Sequence, residues 1–217
     1  MPKSSSPSEQ ASTAPCRGRP RAFDRDSALG IAMRVFWRKG YSATSISDLT
    51  EAIGIGSTSL YAAFGSKDAL YAEALQHYAC QHAPKIWSGF ASAKTARGAV
   101  EALLSDSAAV LGKGADDPAG CMVALSAAGD EGNAELGAKV RAARDEGLGV
   151  LRERLTKAPP EELPAGITPD ALARYVMAVQ GGMSLQARDG AGKAELQAIA
   201  DAAMALWDCG AKGGGDA

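Results

Sequence analysis

Apolar residues recur every three or four positions along most of the chain, which is the period of an amphipathic helix. In the first such stretch, about 24–39, the apolar positions are Leu29, Ala32, Met33 and Phe36. No stretch of useful length alternates apolar and polar residues, the pattern that is typical of a strand. The pattern therefore predicts an all-α protein.

Capping residues and glycines divide the N-terminal region into four predicted helices, at about 24–39, 45–54, 57–63 and from 66 to about 78 or beyond. Ser45 and Asp48 have the spacing of a capping box, with Asp in place of the usual Glu. Gly40 follows the basic end of the first helix, where a C-terminal cap is expected. A short turn at Gly54 separates the second helix from the third.

Five more helices are expected after this region, at about 96–112, Gly120–Ala128, Glu131–Leu155, a segment that begins after Thr168, and a last segment that includes Leu196 and Trp207. Thr168-Pro169 gives an N-cap followed by proline at the first helical position. A proline-rich connection, 157–169, precedes it. The chain is thus predicted to contain a small N-terminal helical domain and a larger one.

The second and third helices, joined by a tight glycine turn, form a predicted helix-turn-helix. The outer face of the third helix is small and polar, with Ser57, Thr58 and Ser59. Such a face fits the major groove of DNA, which is about 12 Å wide. A helical hairpin within a core is the alternative, but it does not explain a polar face at this position.

The predicted organisation is a disordered tail (1–16), a DNA-binding domain (17–70) whose fourth helix extends to about 80, a ligand-binding and dimerisation domain (81–210), and a flexible end (211–217). Residues 1–70 contain 9 Lys and Arg against 6 Asp and Glu, whereas the whole chain has a net charge of −2. A basic N-terminal region in an otherwise acidic chain indicates a polyanionic partner that binds the N-terminal region alone.

Several protein classes do not fit this chain of 217 residues with 46% hydrophobic residues. No apolar run reaches the roughly 18 residues that a membrane span needs, and the first 15 residues lack the apolar core of a secretory signal. We therefore expect a cytoplasmic protein with no membrane partner. In that compartment, free thiols are expected at Cys16, Cys80, Cys121 and Cys209.

Residues 17–75 resemble the N-terminal domain of the tetracycline-repressor (TetR) family. The matching residues are Gly40-Tyr41, Thr44-Ser45, Asp48-Leu49, Gly54-Ile55, Leu60-Tyr61, Phe64, Lys67 and Leu70. A looser similarity to one branch of the family lies at 118–122, 180–181 and 186–190. The resemblance implies a dimeric transcriptional regulator, usually a repressor, that leaves a near-palindromic operator when a small effector binds its C-terminal domain.

The resemblance also implies roles for individual residues. Thr44 corresponds to a position that often contacts phosphate, Tyr61 and Lys67 to positions that hold the DNA backbone, and the arm 17–21 to one that reaches the minor groove. The predicted DNA-binding residues are Arg17, Arg19, Arg21, Thr44, Ser45, Ser57, Thr58, Ser59, Tyr61 and Lys67. The sequence departs from the family pattern at Gly56, Ala62 and Ala63, so base contacts are expected to be sparse.

Two further sets of residues are predicted in the larger domain. Residues that could line an effector pocket, or alternatively serve only as core, are Trp87, Phe90, Cys121, Met122 and Met177. The paired glycines 181–182 indicate a close helix approach, and with the last helix they give a predicted dimer interface of Tyr175, Val179, Gly182, Met183, Ile199 and Leu206. No metal or other cofactor is expected.

Two other functions fit the sequence less well than DNA binding. An enzyme such as a helical hydrolase is disfavoured because the chain has two histidines and no GxSxG, HExxH or glycine-rich phosphate loop. A helical protein-interaction module is the other alternative, but it leaves the basic arm and the polar face of the third helix unexplained. Deletion of residues 1–70 separates the cases, because only a DNA-binding regulator loses its activity while it still dimerises.

Overall fold

Helices follow one another along the whole described chain of this computed structural model. The described residues are 23–112, 114, 117–127 and 133–211, without the side chains of 206 and 208–211. Within these ranges there are helices and turns but no strand, which confirms the all-α prediction. None of the helices found there is long and apolar enough to cross a membrane. The predicted tail, Arg17, Arg19 and Arg21 lie outside the described residues, as do 212–217.

The α-helices of the described residues are α1 (Arg25–Lys39), α2 (Ile46–Ile53), α3 (Ser57–Phe64), α4 (Lys67–Ser92), α5 (Ala96–Leu111), α6 (Ala134–Thr156), α7 (Pro169–Arg188) and α8 (Lys193–Ala211). A 3-10 turn, Pro160–Glu162, lies between α6 and α7. The predictions for α1, α2, α3, α5 and the start of α7 are confirmed to within one or two residues.

Local caps explain why the short N-terminal helices begin where they do. The Asp24 side chain accepts hydrogen bonds from two backbone N–H groups of α1. At α2, the Ser45 hydroxyl accepts from the Asp48 N–H while the Asp48 carboxylate accepts from the Ser45 N–H, so the predicted capping box is present. Ser66 caps α4 through the N–H of Ala69 at 3.0 Å. These bonds satisfy N–H groups that helices leave unpaired.

Helix α4 is much longer than expected. It continues through Pro84 to Ser92, a length of 26 residues. A proline inside a helix removes one backbone hydrogen bond, yet the helix persists because both of its ends are packed. The predicted domain boundary near residue 80 therefore falls inside one continuous helix rather than at a connection.

Two hydrophobic cores share α4. The first joins α1, α2, α3 and the beginning of α4 around Phe36, Leu49, Leu60 and Tyr71, and it also takes in Met122, Leu136 and Val140 from the larger domain. The second joins the end of α4 to α5, the end of α6, α7 and α8, around Leu103, Leu104, Leu151, Leu172 and Met183. The N-terminal core is therefore completed by residues of the larger domain.

The short helix predicted at Gly120–Ala128 is wrong, because residues 120–127 form turns. The Arg144 side chain donates hydrogen bonds to the carbonyl oxygens of Val123, Ala124 and Ser126, which provides partners for carbonyls outside a helix. Gly120 has φ +80°, and a Cβ there would lie 2.7 Å from the carbonyl oxygen of Ser184. A close approach to α7, not local propensity, therefore sets the shape of this segment.

The long helix that was expected at Glu131–Leu155 is α6, which starts later than predicted. It begins at Ala134, after the N-cap Asn133, whose side chain accepts from the N–H of Leu136 at 3.0 Å. Residues 131–132 lie outside the described ranges.

Loss of the capping box should measurably destabilise the protein. We expect Ser45→Ala to lower the free energy of unfolding by about 1 kcal/mol in urea denaturation, the usual cost of losing an N-cap. Ser47→Ala is the matched control, because Ser47 is exposed inside the same helix and alanine is favourable there. Equal urea midpoints for the two variants would show that the box contributes nothing.

Candidate nucleic-acid interface

The turn between α2 and α3 is fixed by one glycine and two buried leucines. Gly54 has a backbone φ of +79°, a conformation that residues other than glycine rarely adopt. The N–H groups of Gly54 and Ile55 donate to the Thr50 carbonyl oxygen at 2.9 and 3.1 Å, which ends α2. Leu49 and Leu60 are almost completely buried on either side of the turn. The angle between the two helices is thereby set by the core.

The opposite side of α3 faces solvent. Leu60 and Phe64 are buried, whereas Ser57, Thr58 and Ser59 are exposed. Tyr61 retains 46% of its surface, an unusually large exposure for a tyrosine beside a core. The structure therefore brings these four predicted residues together on one accessible surface.

The N-terminus of α3 presents backbone donors at the same surface. Its N-cap is Gly56, and no side chain accepts a hydrogen bond from the first turn among the described residues. A helix leaves its first N–H groups without internal partners and carries partial positive charge there. A phosphate group is a suitable acceptor for such an end.

Lys67 is the first residue of α4 and follows the end of α3 by three positions. Its Nζ is 4.3 Å from the centroid of the Tyr41 ring, a cation–π contact. The Tyr41 hydroxyl in turn donates to a carboxylate oxygen of Asp68. Ser45 is exposed at the start of α2, although its oxygen already accepts from the Asp48 N–H at 3.1 Å. Lys67 and Ser45 therefore remain candidates for phosphate contact.

Thr44 departs from the prediction that it contacts phosphate. Its side chain is fully buried. Its hydroxyl donates to the Gly40 carbonyl oxygen at 2.6 Å, so the group stabilises the connection between α1 and α2. A buried hydroxyl that already has a partner offers nothing to DNA, and Thr44 is a structural residue in this conformation.

Positive charge near α3 is limited. Lys39 lies 2.6 Å from the Asp48 carboxylate, and that bond together with the Ser45 N–H lowers the pKa of Asp48 to about 2. The Lys39 charge is thus balanced within the domain. α3 itself has no charged residue, so any positive side chain that attracts phosphate has to come from neighbouring segments.

Sequence reasoning missed the polar contacts that α1 and the start of α4 make with the larger domain. Arg188 Nη2 donates to the Trp37 carbonyl oxygen at 3.0 Å, and Arg34 Nε lies 2.9 Å from Asp117. Asn133 Nδ2 donates to Asp68 at 3.0 Å. These partners are 65 to 151 positions apart in sequence, so no local pattern could have indicated them.

A buried histidine lies next to these contacts. His82 stacks on Tyr78, with 4.5 Å between the ring centroids, and its Nε2 is 3.9 Å from Asp117. That Nε2 has no hydrogen-bond partner. Burial, with a contribution from Lys85, lowers the pKa of His82, although Asp117 opposes the shift. Burial therefore favours the neutral form of the ring.

The predicted pocket residues divide into two groups. Trp87 and Phe90 pack edge to face at 5.2 Å, and both Trp87 and Met177 lie within 4 Å of the position that a Cβ on Gly147 would take. Met122 instead belongs to the N-terminal core, where it lines a separate cavity with Phe36 and Trp37. Cys121 contacts both cores. No group of three or more His, Cys, Asp or Glu among the described side chains could hold a metal ion.

The predicted interface residues also divide. Tyr175 is 38% exposed, Val179 and Ile199 are partly exposed, and Gly182 is exposed with open space around it. Met183 is completely buried within the protomer, so it has no surface for a partner, and that assignment was wrong. Leu206 lies in α8, but its side chain is outside the described part.

Comparison with known proteins agrees with this geometry. The profile described as "Bacterial regulatory proteins, tetR family" matches residues 29–74, which include α2 and α3. The HTH-type transcriptional repressor ComR of Escherichia coli (strain K12) is 35% identical over 202 residues, which are 88% of this chain and 92% of ComR. The chain belongs to the TetR family. It is a DNA-binding transcriptional regulator, as the sequence predicted.

Solved structures of TetR regulators extend the comparison. A cysteine mutant of the TetR family regulator CifR, complexed with 26-bp double-strand operator DNA, has a TM-score of 0.78 and 39% identity, covering 88% of this chain and all of that one. AibR, complexed with isovaleryl coenzyme A and operator DNA, has a TM-score of 0.66 at 18% identity, covering 84% of this chain and 97% of AibR. The second likeness concerns the fold alone.

Acid should destabilise the protein partly through His82. Because its folded pKa lies below its unfolded value, the unfolded chain binds more protons as the pH falls through about 6.5, and stability is lost there. His82→Phe keeps the aromatic stack and cannot titrate. We expect its melting temperature to fall less than that of the wild type between pH 7.5 and 5.5 in thermal denaturation. Parallel curves for the two proteins would contradict this account.

Proposed function

We propose that this TetR regulator is a homodimer that inserts one α3 helix from each protomer into the major groove of a near-palindromic operator. The observation that supports it best is the exposed, polar first turn of α3, which has unpaired backbone donors. Two such helices bind successive major-groove segments when they lie about 34–36 Å apart.

Within each half-site, we assign most of the contacts to the DNA backbone. Phosphates would accept from the first N–H groups of α3, from the Tyr61 hydroxyl, and from Lys67 and Ser45. Thr58 can touch a thymine methyl group, and Ser57 and Ser59 can donate to base edges. Because these side chains are short, DNA shape should add to specificity. Arg17, Arg19 and Arg21 would reach the minor groove.

We propose that the dimer forms through α7 and α8. Tyr175 and Gly182 lie on the exposed side of α7, and Val179 and Ile199 are partly exposed. Among the described residues, no atom outside the nearby backbone of α7 lies within 4 Å of a Cβ built on Gly181 or Gly182, so packing there does not require these glycines. A second copy that approaches closely would explain them, in a four-helix interface.

We further propose that a small effector binds where Trp87, Phe90 and Met177 meet, between α4, α6 and α7. Entry there would separate α4 from its neighbours and change the spacing of the two α3 helices. An effector acts by binding the DNA-free arrangement better than the DNA-bound one. The role is regulatory rather than catalytic, and the protein would work in the cytoplasm, where its DNA is.

Shortening one side chain of α3 should weaken operator binding. We expect Thr58→Ala to reduce affinity about tenfold, within the roughly 1–3 kcal/mol of a specific base contact, measured by fluorescence anisotropy with an operator selected from random DNA. Thr156→Ala, at an exposed position at the end of α6, is the control. Unchanged affinity in both variants, and in Tyr61→Phe, would show that α3 does not read the DNA.

A large side chain at the glycine pair should disrupt the dimer. We expect Gly182→Glu to raise the dimer dissociation constant at least about tenfold in sedimentation velocity, because the protomer has room for the side chain but a closely packed partner has none. Gly149→Glu makes the same change in α6, also in open space. If Gly182→Glu remains as dimeric as Gly149→Glu, the interface lies elsewhere.

A further inference from the structure

Arg25, the first residue of α1, contacts two other helices at once. Its Nε donates to the Ala63 carbonyl oxygen of α3 at 3.2 Å. Its Nη2 reaches both carboxylate oxygens of Glu73 in α4, at 2.9 and 2.8 Å. The guanidinium carbon also lies 4.6 Å from the centroid of the Phe64 ring. One side chain therefore connects α1, α3 and α4.

Arg25 contacts the C-terminal end of α3, where no basic residue of α3 itself offsets the negative end of the helix dipole. Ala63 is the penultimate residue of α3, and the last four carbonyls of a helix have no partner within it. α3 has no basic residue in its own last turn. Arg25 supplies both a donor and a positive charge at this negative end. The opposite end of the same eight-residue helix is the one that presents its N–H groups to DNA.

The position of Arg25 is unfavourable for α1 itself. A cation in the first turn opposes the helix dipole, and Asp24 and Asp26 offset it only locally. The interactions that compensate are those with α3 and α4. This placement is the one feature of the sequence that could have drawn attention to Arg25.

We propose that Arg25 and Glu73 form a clamp that positions the recognition helix α3 on α4 for DNA binding. The clamp rests on the proposed role of α3. Glu73 holds the guanidinium from α4, and the guanidinium holds the end of α3 through Ala63 and Phe64. Both are positioning residues and need not touch DNA.

The clamp should affect DNA binding more than stability. The two side chains are 45% and 34% exposed, and ion pairs in such places contribute little to folding. α3, in contrast, has only Leu60 and Phe64 buried, so a contact at its C-terminus restrains its orientation. A small change in that orientation displaces all of its DNA contacts together.

The effect of Glu73 on DNA binding distinguishes a positioning role from direct electrostatic attraction. Removal of a carboxylate from a DNA-binding domain should strengthen DNA binding when only charge matters. The clamp predicts the opposite for Glu73, because the guanidinium loses the group that holds it. If Arg25 instead bound phosphate directly, Glu73 would compete for it, and its removal would again strengthen binding.

The test uses the full-length protein and an operator selected from random DNA. We expect Glu73→Ala and Glu73→Gln to weaken operator binding, by about fivefold or more for the alanine variant, the lower end of typical coupling between sites. Glu51→Gln, at an exposed position on α2, removes the same charge and should leave affinity equal or slightly higher. Arg25→Lys keeps the positive charge but loses the planar guanidinium that binds both Glu73 oxygens, so it should also weaken operator binding.

A double-mutant cycle completes the experiment. Arg25→Ala and Glu73→Ala together should weaken binding no more than the worse single variant, because both remove one contact. The dependence of affinity on salt should keep the wild-type slope, since no phosphate contact is lost. Circular dichroism and melting temperature should stay near wild type.

Tighter binding by Glu73→Ala, or a salt slope reduced by about one in Arg25→Ala, would overturn the clamp. Thr58→Ala in the same assay separates the two proposals. If Thr58→Ala weakens binding and Glu73→Ala does not, the clamp fails while DNA reading by α3 stands. If neither changes affinity, the proposed role of α3 fails first.

Discussion

A single continuous helix packed into two cores is the constraint on which this structure depends. The first part of α4 buries Leu70, Tyr71 and Tyr78 against the helix-turn-helix, and its last part buries Ile86 and Phe90 in the larger domain. Because protein interiors are close-packed, neither end can shift without disturbing its neighbours. A displacement of α4 in the larger domain therefore moves the surface on which α1 and α3 rest.

Hydrogen bonds between the two domains supplement this apolar packing and fix the orientation of the groups that they join. Arg188, Arg34 and Asn133 each contribute one or two hydrogen bonds that join the larger domain to α1 or to the start of α4. Such contacts depend on geometry and can be exchanged for water at modest cost. A helix that is packed into two cores, with a set of exchangeable polar contacts beside it, suits the proposed effector-driven change between two arrangements that differ by a few kcal/mol.

The parts that sequence predicted well are those fixed by local chemistry. Ser45, Asp48 and Gly54 determine α2 and its turn through bonds to residues three or four positions away, so their spacing alone was informative. The polar face of α3 was equally visible, because exposure follows the helical period.

The parts that sequence predicted poorly depend on distant partners. Gly120 faces α7 and Arg144 holds the carbonyls of the following turn, so residues 120–127 are not helical although they are apolar. The same reason explains Thr44 and Met183, which were predicted at surfaces but whose burial depends on the packing of whole helices. The contacts of Arg25 escaped notice because they join three helices.

Selection of bound sequences from a library of random double-stranded DNA, by the full-length protein with non-specific competitor present, tests the central claim most directly. The account predicts enrichment of a near-palindromic site whose two half-sites are centred about one helical turn, or a multiple of it, apart. Enrichment should be lost in the Thr58→Ala, Tyr61→Phe double variant. Failure of the wild type to enrich any sequence, or enrichment of single sites without symmetry, would contradict a dimer that reads DNA with two α3 helices.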